Sequence, residues 1–201
     1  MPGEWSLRLP DWVLPVVADA SGPWPTAADR MRFVLSLARR QVDEETGGPF
    51  AAAVFEIGSG DLVSVGLNTV VPSGCSSAHA EVMALSLAQK RLGTHDLSAP
   101  GMPPTQLVAS GEMCAMCLGA TAWAGVASVV FSATSADIEQ IAGFDEGPRH
   151  PDAHLELTRR GIAVEAEFLR DEGRAVLQAY VDAGGEVYNA SPRVHGADTE
   201  S

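Results

Sequence analysis

Basic charge is scarce in this chain: 13 lysines and arginines stand against 26 aspartates and glutamates, for a formal net charge of −13. Such an excess of acid repels a phosphate backbone unless the basic side chains gather on one face, which makes nucleic acid a disfavoured partner. The adjacent basic pairs, Arg39-Arg40, Lys90-Arg91 and Arg159-Arg160, are too short and too scattered along the chain to offer such a face. Long apolar runs are missing too, with none near the roughly 18 residues that a membrane span requires. The stretch from Met1 to Leu9 has neither the basic start nor the apolar run of a secretion signal, so the expected location is the cytoplasm, with no membrane partner. Cysteine is rare and odd in number, 3 in all, and two of the three stand as Cys114-Ala115-Met116-Cys117, too close for a structural disulfide framework. In a cytosolic chain such a pair reads as metal ligation or redox chemistry. Internal repeats and low-complexity tracts are absent.

What remains is a globular composition, 46% apolar and 19% charged over 201 residues, enough for one domain with a substantial core. Residues 1–26 mix five prolines with Trp5, Trp12 and Trp24, which resists long regular helix and reads as an N-terminal arm whose tryptophans pack on the domain or on a partner subunit. Residues 27–190 form the expected domain, and 191–201 a flexible tail. Thr26 is a plausible N-cap for a helix that places Met31, Val34, Leu35 and Ala38 on one face and stops before Gly47-Gly48-Pro49. Strands over 50–57 and 62–70, joined by Gly58-Ser59-Gly60-Asp61, are expected to pair antiparallel. After a loop over 71–77, a helix over 78–92 ends at Gly93. A strand at 106–109, a helix at 113–124 and a strand at 127–131 then make a right-handed crossover between parallel neighbours. Helices near 136–142, 151–159 and 171–183 and a strand over 162–169 complete the pattern. The expected fold is α/β: a three-layer α/β/α sandwich around a mixed five-stranded sheet.

The chemistry is carried by His79-Ala80-Glu81 at one predicted helix start and by Cys114-x-x-Cys117 at another, 35 positions later. A lone Cys-x-x-Cys is often a redox pair and a lone His-x-Glu is often a capping arrangement. Together and in this order they match the H-x-E…P-C-x-x-C signature of zinc deaminases. One imidazole and two thiolates give three ligands to one zinc per subunit and leave the fourth tetrahedral position for water, as catalytic zinc requires. Cysteines at i and i+3 share a helix face, and helix N-termini favour thiolate over thiol. Glu81, two positions past His79, points inward without binding metal and suits a general base that moves every proton.

On these motifs the chain resembles the cytidine and deoxycytidylate deaminase superfamily, and within it the guanine deaminases and the tRNA adenosine deaminases. The resemblance covers residues 28–146, more weakly to 189, and rests on Gly47-Gly48-Pro49-Phe50, Asn68, Ala78-His79-Ala80-Glu81-Val82, Glu112-Met113-Cys114-Ala115-Met116-Cys117-Leu118-Gly119-Ala120, Trp123-Ala124 and Ala142-Gly143-Phe144-Asp145. It implies a substrate pocket in which Phe50 stacks on a flat ring, Asn68 bonds a ring atom, the Ala80 backbone adds polar contacts, Trp123 lines the wall and Asp145 reads an amine or ring N–H. It also implies a homodimer and a C-terminal segment that closes the site, with Glu172 and Tyr188 as its candidates. Met113 and Ala115 stand where the family has prolines, and Ser73-Gly74-Cys75-Ser76-Ser77 departs from the guanine deaminase loop, which leaves the exact substrate open. The function expected is zinc-dependent hydrolytic deamination of a small amino-substituted heterocycle, guanine or a related purine, pterin or triazine. The alternatives are editing of adenosine in tRNA, a thiol oxidoreductase, and a non-catalytic zinc protein that binds a partner. His95, His150, His154 and His195 read as surface histidines, and Cys75 as a small packed thiol.

Overall fold

The central strands are buried along nearly their whole length, as happens only when both faces of a sheet are covered. Ala51–Glu56 (β1), Thr105–Gly111 (β3) and Ser128–Ala133 (β4) follow this pattern, and Leu62–Leu67 (β2) nearly so. The structure, a computed structural model, describes residues 3, 6–20, 22–148 and 150–189. Trp5, His195 and the expected tail at 191–201 lie outside the described residues. The sheet order is β2-β1-β3-β4-β5, with β1 antiparallel to β2 and β3, and with β4 parallel to both β3 and Ala163–Glu165 (β5).

Helices on the two faces give two apolar cores. One face carries Val13–Asp19 (α1), Ala27–Asp43 (α2) and Arg170–Asp182 (α8). The other carries Ala80–Leu92 (α4), Ala115–Ala124 (α5) and Ala153–Arg159 (α7). This is the three-layer sandwich around a mixed five-stranded sheet that the sequence predicts. Helix α2 begins as expected, because the Thr26 hydroxyl accepts from the Asp29 N–H while Asp29 bonds back to the Thr26 N–H. Its buried stripe contains Met31, Val34, Leu35, Leu37, Ala38 and Val42.

The differences from expectation have local causes. The arm does hold a short helix, α1, because Pro15 falls in its first turn, where a missing N–H leaves nothing unpaired. Trp24 packs on Phe33 and Phe55 at ring distances of 4.7 and 5.8 Å, so the arm lies on the domain. The loop over 71–77 contains one helical turn, Val70–Ser73 (α3), stopped by Gly74 at φ 60°. The strand expected over 162–169 shortens to β5, since Glu167 and Leu169 adopt φ of 60° and 53°, which no strand continues. The helix near 136–142 divides into Ser135–Asp137 (α6), capped by Thr134, and a π-helical turn Ile138–Ala142 that ends at Gly143. π-turns are frequent at functional sites, and this one delivers Phe144 to Glu146 to the cavity described next.

Candidate active site

His79 and Cys114 are the N-cap residues of α4 and α5, each with extended backbone that aims its side chain ahead of the first helical turn. The sequence placed both inside their helices; the structure moves each helix start two residues later. Cys117 follows on the first turn of α5 and is fully buried. The ligand atoms of His79, Cys114 and Cys117 all lie within 4.8 Å of one another, and each sulfur is 3.6 Å from His79 Nδ1. A tetrahedral zinc with bonds of about 2.3 Å to sulfur and about 2.0 Å to nitrogen sets an N···S edge of roughly 3.5 Å, which both N···S separations match, so the donor set suits zinc.

Their electrostatics agree. Cys114 is lowered to about 4, first by the hydrogen bond from Cys117 and then by His79, against the effect of burial. Cys117 is pushed up by that same hydrogen bond and by burial. One proton is thus shared between two sulfurs, and a divalent cation between them favours thiolate at both. Burial alone would lower His79, but its hydrogen bond to Cys114 and the charges of Glu81, Cys114 and Glu146 outweigh it and raise the imidazole. Glu81, on the first turn of α4 and 8% exposed, is raised above the usual carboxylate range, first by burial and then by the Cys114 charge. A carboxyl in that condition is suited both to take and to give a proton. Among the described residues, Cys75 is not part of the metal cluster: its sulfur lies 3.2 Å from the Ser77 hydroxyl, and the thiol is half-buried.

A cavity of about 270 Å³ opens beside these groups and also receives Phe50, Asn68, Phe144, Asp145, Glu146 and Tyr188. Four of the expected substrate residues therefore converge: Phe50, Asn68, Asp145 and Tyr188. Phe50 and Tyr188 flank Phe144 at ring distances of 5.3 and 4.8 Å. Asn68 is buried, its Oδ1 accepts from the Val70 N–H at 3.3 Å, and its side chain meets the Tyr188 hydroxyl. Burial, with help from Tyr180, Glu81 and Glu146, pushes the Tyr188 phenol up, so it stays protonated through the neutral range. The segment bearing Tyr188 is clipped to the opposite rim, because Asn189 donates to the Gly143 carbonyl at 3.0 Å and accepts from the Asp145 N–H at 2.8 Å.

Three expected residues lie elsewhere. Trp123 is 88% exposed and does not line the cavity: α5 buries Cys117, Thr121 and Ala124, and position 123 falls on the opposite side of the helix. Glu172 pairs with Arg32 at 3.5 Å on the outside, away from the buried stripe of α8. Ala80 is buried without lining the cavity, its carbonyl lying against Gly66 of β2, where a Cβ would come within 2.0 Å of it.

Reading the sequence missed Glu146. Its neighbour Asp145 is exposed and its Oδ1 accepts the Gly147 N–H at 2.8 Å, whereas Glu146 is 7% exposed and faces the cavity. Adjacent acids were the available signal, and nothing local says which one is buried. His154 is no free surface histidine either. Its Nε2 lies 2.8 Å from Oε1 of Glu112, whose other oxygen accepts the Ser135 N–H at 2.8 Å. Glu112 and Gly147 separate the metal-side cavity from a larger cleft of about 780 Å³ that contains no zinc ligand.

Comparison with known proteins agrees with this geometry. The profile of the cytidine and deoxycytidylate deaminase zinc-binding region matches residues 26–133. The guanine deaminase of Bacillus subtilis (strain 168) is 36% identical over 116 residues, which are 58% of this chain and 69% of that protein. The solved guanine deaminase from Nitrosomonas europaea is 47% identical, with a TM-score of 0.84 over 90% of this chain and 97% of the other. NE0047 in complex with 2,6-diaminopurine is likewise 47% identical, with a TM-score of 0.85 over 92% and 96% of the two chains.

Proposed function

The chain belongs to the cytidine and deoxycytidylate deaminase family, and from that premise we propose that it is a guanine deaminase, replacing the amino group of guanine or a related small heterocycle by oxygen and releasing ammonia. It is a zinc-dependent hydrolytic deaminase; guanine as its substrate rests on its likeness to guanine deaminases and to NE0047 bound to a diaminopurine. The observation that carries the reading is the buried Glu81 carboxyl beside a three-donor metal site that opens on an aromatic-walled cavity. Within it, residues 27–190 are the deaminase domain and 1–26 the arm. His79, Cys114 and Cys117 would hold one zinc, which when bound supplies a Lewis acid that makes water easier to deprotonate. Glu81 takes a proton from the attacking water, passes it to the ring nitrogen next to the amino-bearing carbon, and delivers a proton to the departing amine. Phe50 and Phe144 hold the ring plane, Asn68 and Tyr188 meet its polar atoms, and the Glu146 carboxylate accepts from ring N–H or amino groups, which guanine presents.

A cavity of about 270 Å³ suits a free base. The −13 charge disfavours tRNA, and three protein ligands with an open side are unlike a closed structural zinc site. The test is ammonia release from guanine, isoguanine, adenine, cytosine, pterin and aminotriazines beside a tRNA anticodon stem-loop. Turnover of guanine with silence on the stem-loop is expected, and the reverse result would overturn the proposal. Among the described residues no helix is long and apolar enough to cross a membrane. A cytoplasmic setting fits thiolate ligands, which a reducing compartment protects. We also propose a homodimer, since Trp123 and Met116 expose an apolar face on α5 beside the metal site. Sedimentation should show a dimer at micromolar protein, and a stable monomer there would refute it.

A further inference from the structure

Gln41, near the end of α2, has no exposed surface. A buried primary amide must place two N–H donors and one oxygen, so what it bonds is a constraint on the surrounding backbone. Its Nε2 donates to the Asn68 carbonyl at 2.5 Å and to the Gly48 carbonyl at 3.3 Å, and its Oε1 lies 3.5 Å from the Thr46 hydroxyl. Both carbonyls belong to chain segments that present the ring-binding wall. Gly48 precedes Phe50 by two residues, Asn68 follows β2, and the Asn68 N–H itself donates to the Phe50 carbonyl at 3.0 Å. Two glycines permit this convergence: a Cβ at Gly47 would stand 2.1 Å from the Asn68 oxygen, and one at Gly48 would stand 2.5 Å from the Tyr188 hydroxyl. Outward from Gln41 the chain of bonds continues to the N-terminal arm. Thr46 accepts from Trp12 Nε1 at 3.0 Å, and the Trp12 ring lies 5.2 Å from the Arg40 guanidinium.

We propose that Gln41 is a positioning residue for substrate binding, fixing Asn68 and Phe50 relative to each other, and that Trp12 and Thr46 extend this control to the N-terminal arm. The metal-binding helices α4 and α5 stand on the far face of the sheet from α2, so the device acts on how the ring is held and leaves zinc and proton transfer alone. A glutamine that merely filled the core would affect stability without touching KM.

The inference rests on the guanine deaminase reading for its kinetic readout and has a second readout that does not. Gln41→Met keeps the side-chain length and removes every hydrogen bond; Thr46→Val removes the outer links with the shape kept, and Trp12→Phe removes the Nε1 donor with a smaller ring in its place. Leu157→Ala, in the opposite core, is the control for lost stability. Gln41→Met should raise KM for guanine roughly tenfold with kcat within about threefold and zinc content unchanged, and the outer variants should raise it about two- to fivefold. Hydrogen exchange of the Asn68 amide should quicken in the same order while that of Val130 in β4 does not. KM and Asn68 exchange no different from the Leu157→Ala control would overturn the proposal, as would a fall in kcat and zinc equal to the change in KM. If Gln41→Met does not fold, unchanged KM and exchange in both outer variants overturn it equally. If the parent chain fails to deaminate guanine, the substrate reading falls, and Asn68 exchange still decides this one.

Discussion

The metal side and the proposed ring side of the cavity are built by opposite means. On the metal side, two helix N-caps and one first-turn residue bring three ligand atoms within 4.8 Å, and the backbone of α4 and α5 does nearly all the positioning. On the ring side, Phe50, Asn68, Glu146 and Tyr188 come from four separate connections joined by side-chain bonds: Gln41 to Gly48 and Asn68, Asn189 to Gly143 and Asp145, and Asp137 to Arg170 and Arg174. The first arrangement is insensitive to loop changes and suits chemistry common to many substrates. The second can be altered one bond at a time, which suits a specificity that changes within one fold.

The sharpest way to separate the two sides is Glu81→Gln. The amide keeps the shape and cannot accept the water proton, so kcat should fall by about 10² to 10⁴ while zinc content and melting temperature hold. Turnover within tenfold of the parent would take Glu81 out of the mechanism and remove the distinction between the sides.

A smaller effect is expected at the ring side's anchor. Asp137, 1% exposed, accepts from Arg170 Nε at 2.7 Å and Nη2 at 3.0 Å and is also bonded by Arg174, tying the π-helical turn before Glu146 to the helix that leads to Tyr188. Asp137→Asn leaves two half-exposed guanidinium groups facing a neutral amide and should cost about 2 to 4 kcal/mol of stability, less than for a fully buried pair. The hydrogen bond from Arg170 holds the Asp137 carboxyl well below the usual carboxylate range. A depressed folded-state value contributes stability above the unfolded value of about 3.9 and loses it as pH falls further towards the folded one. Urea midpoints measured from pH 6 downward should therefore decline more steeply below about pH 4 in the parent than in the variant. Parallel curves would show that Asp137 is not the anchor.

Legibility from sequence followed the same division. Helix starts carry local marks, so His79, Glu81, Cys114 and Cys117 could be found from spacing, and Thr26 with Asp29 marked the start of α2. Trp123 was misplaced because an apolar aromatic on α5 looks alike whether it faces the cavity or the outside, and only the buried set of Cys117, Thr121 and Ala124 fixes the helix rotation. Glu172 failed for a related reason, since the stripe of Gly173, Val176, Leu177 and Tyr180 turns it outward to Arg32.

The sequence by itself determined the sheet's central apolar strands, the Thr26 cap of α2 and the metal-ligand set, because each depends on residue types a few positions apart along one element. The burial of Glu146 beside an exposed Asp145, the pairing of His154 with Glu112 and the reach of Gln41 to Asn68 were decided only by the tertiary structure. Each of these depends on which distant backbone arrives opposite a side chain, and long-range packing sets that in ways no local pattern encodes.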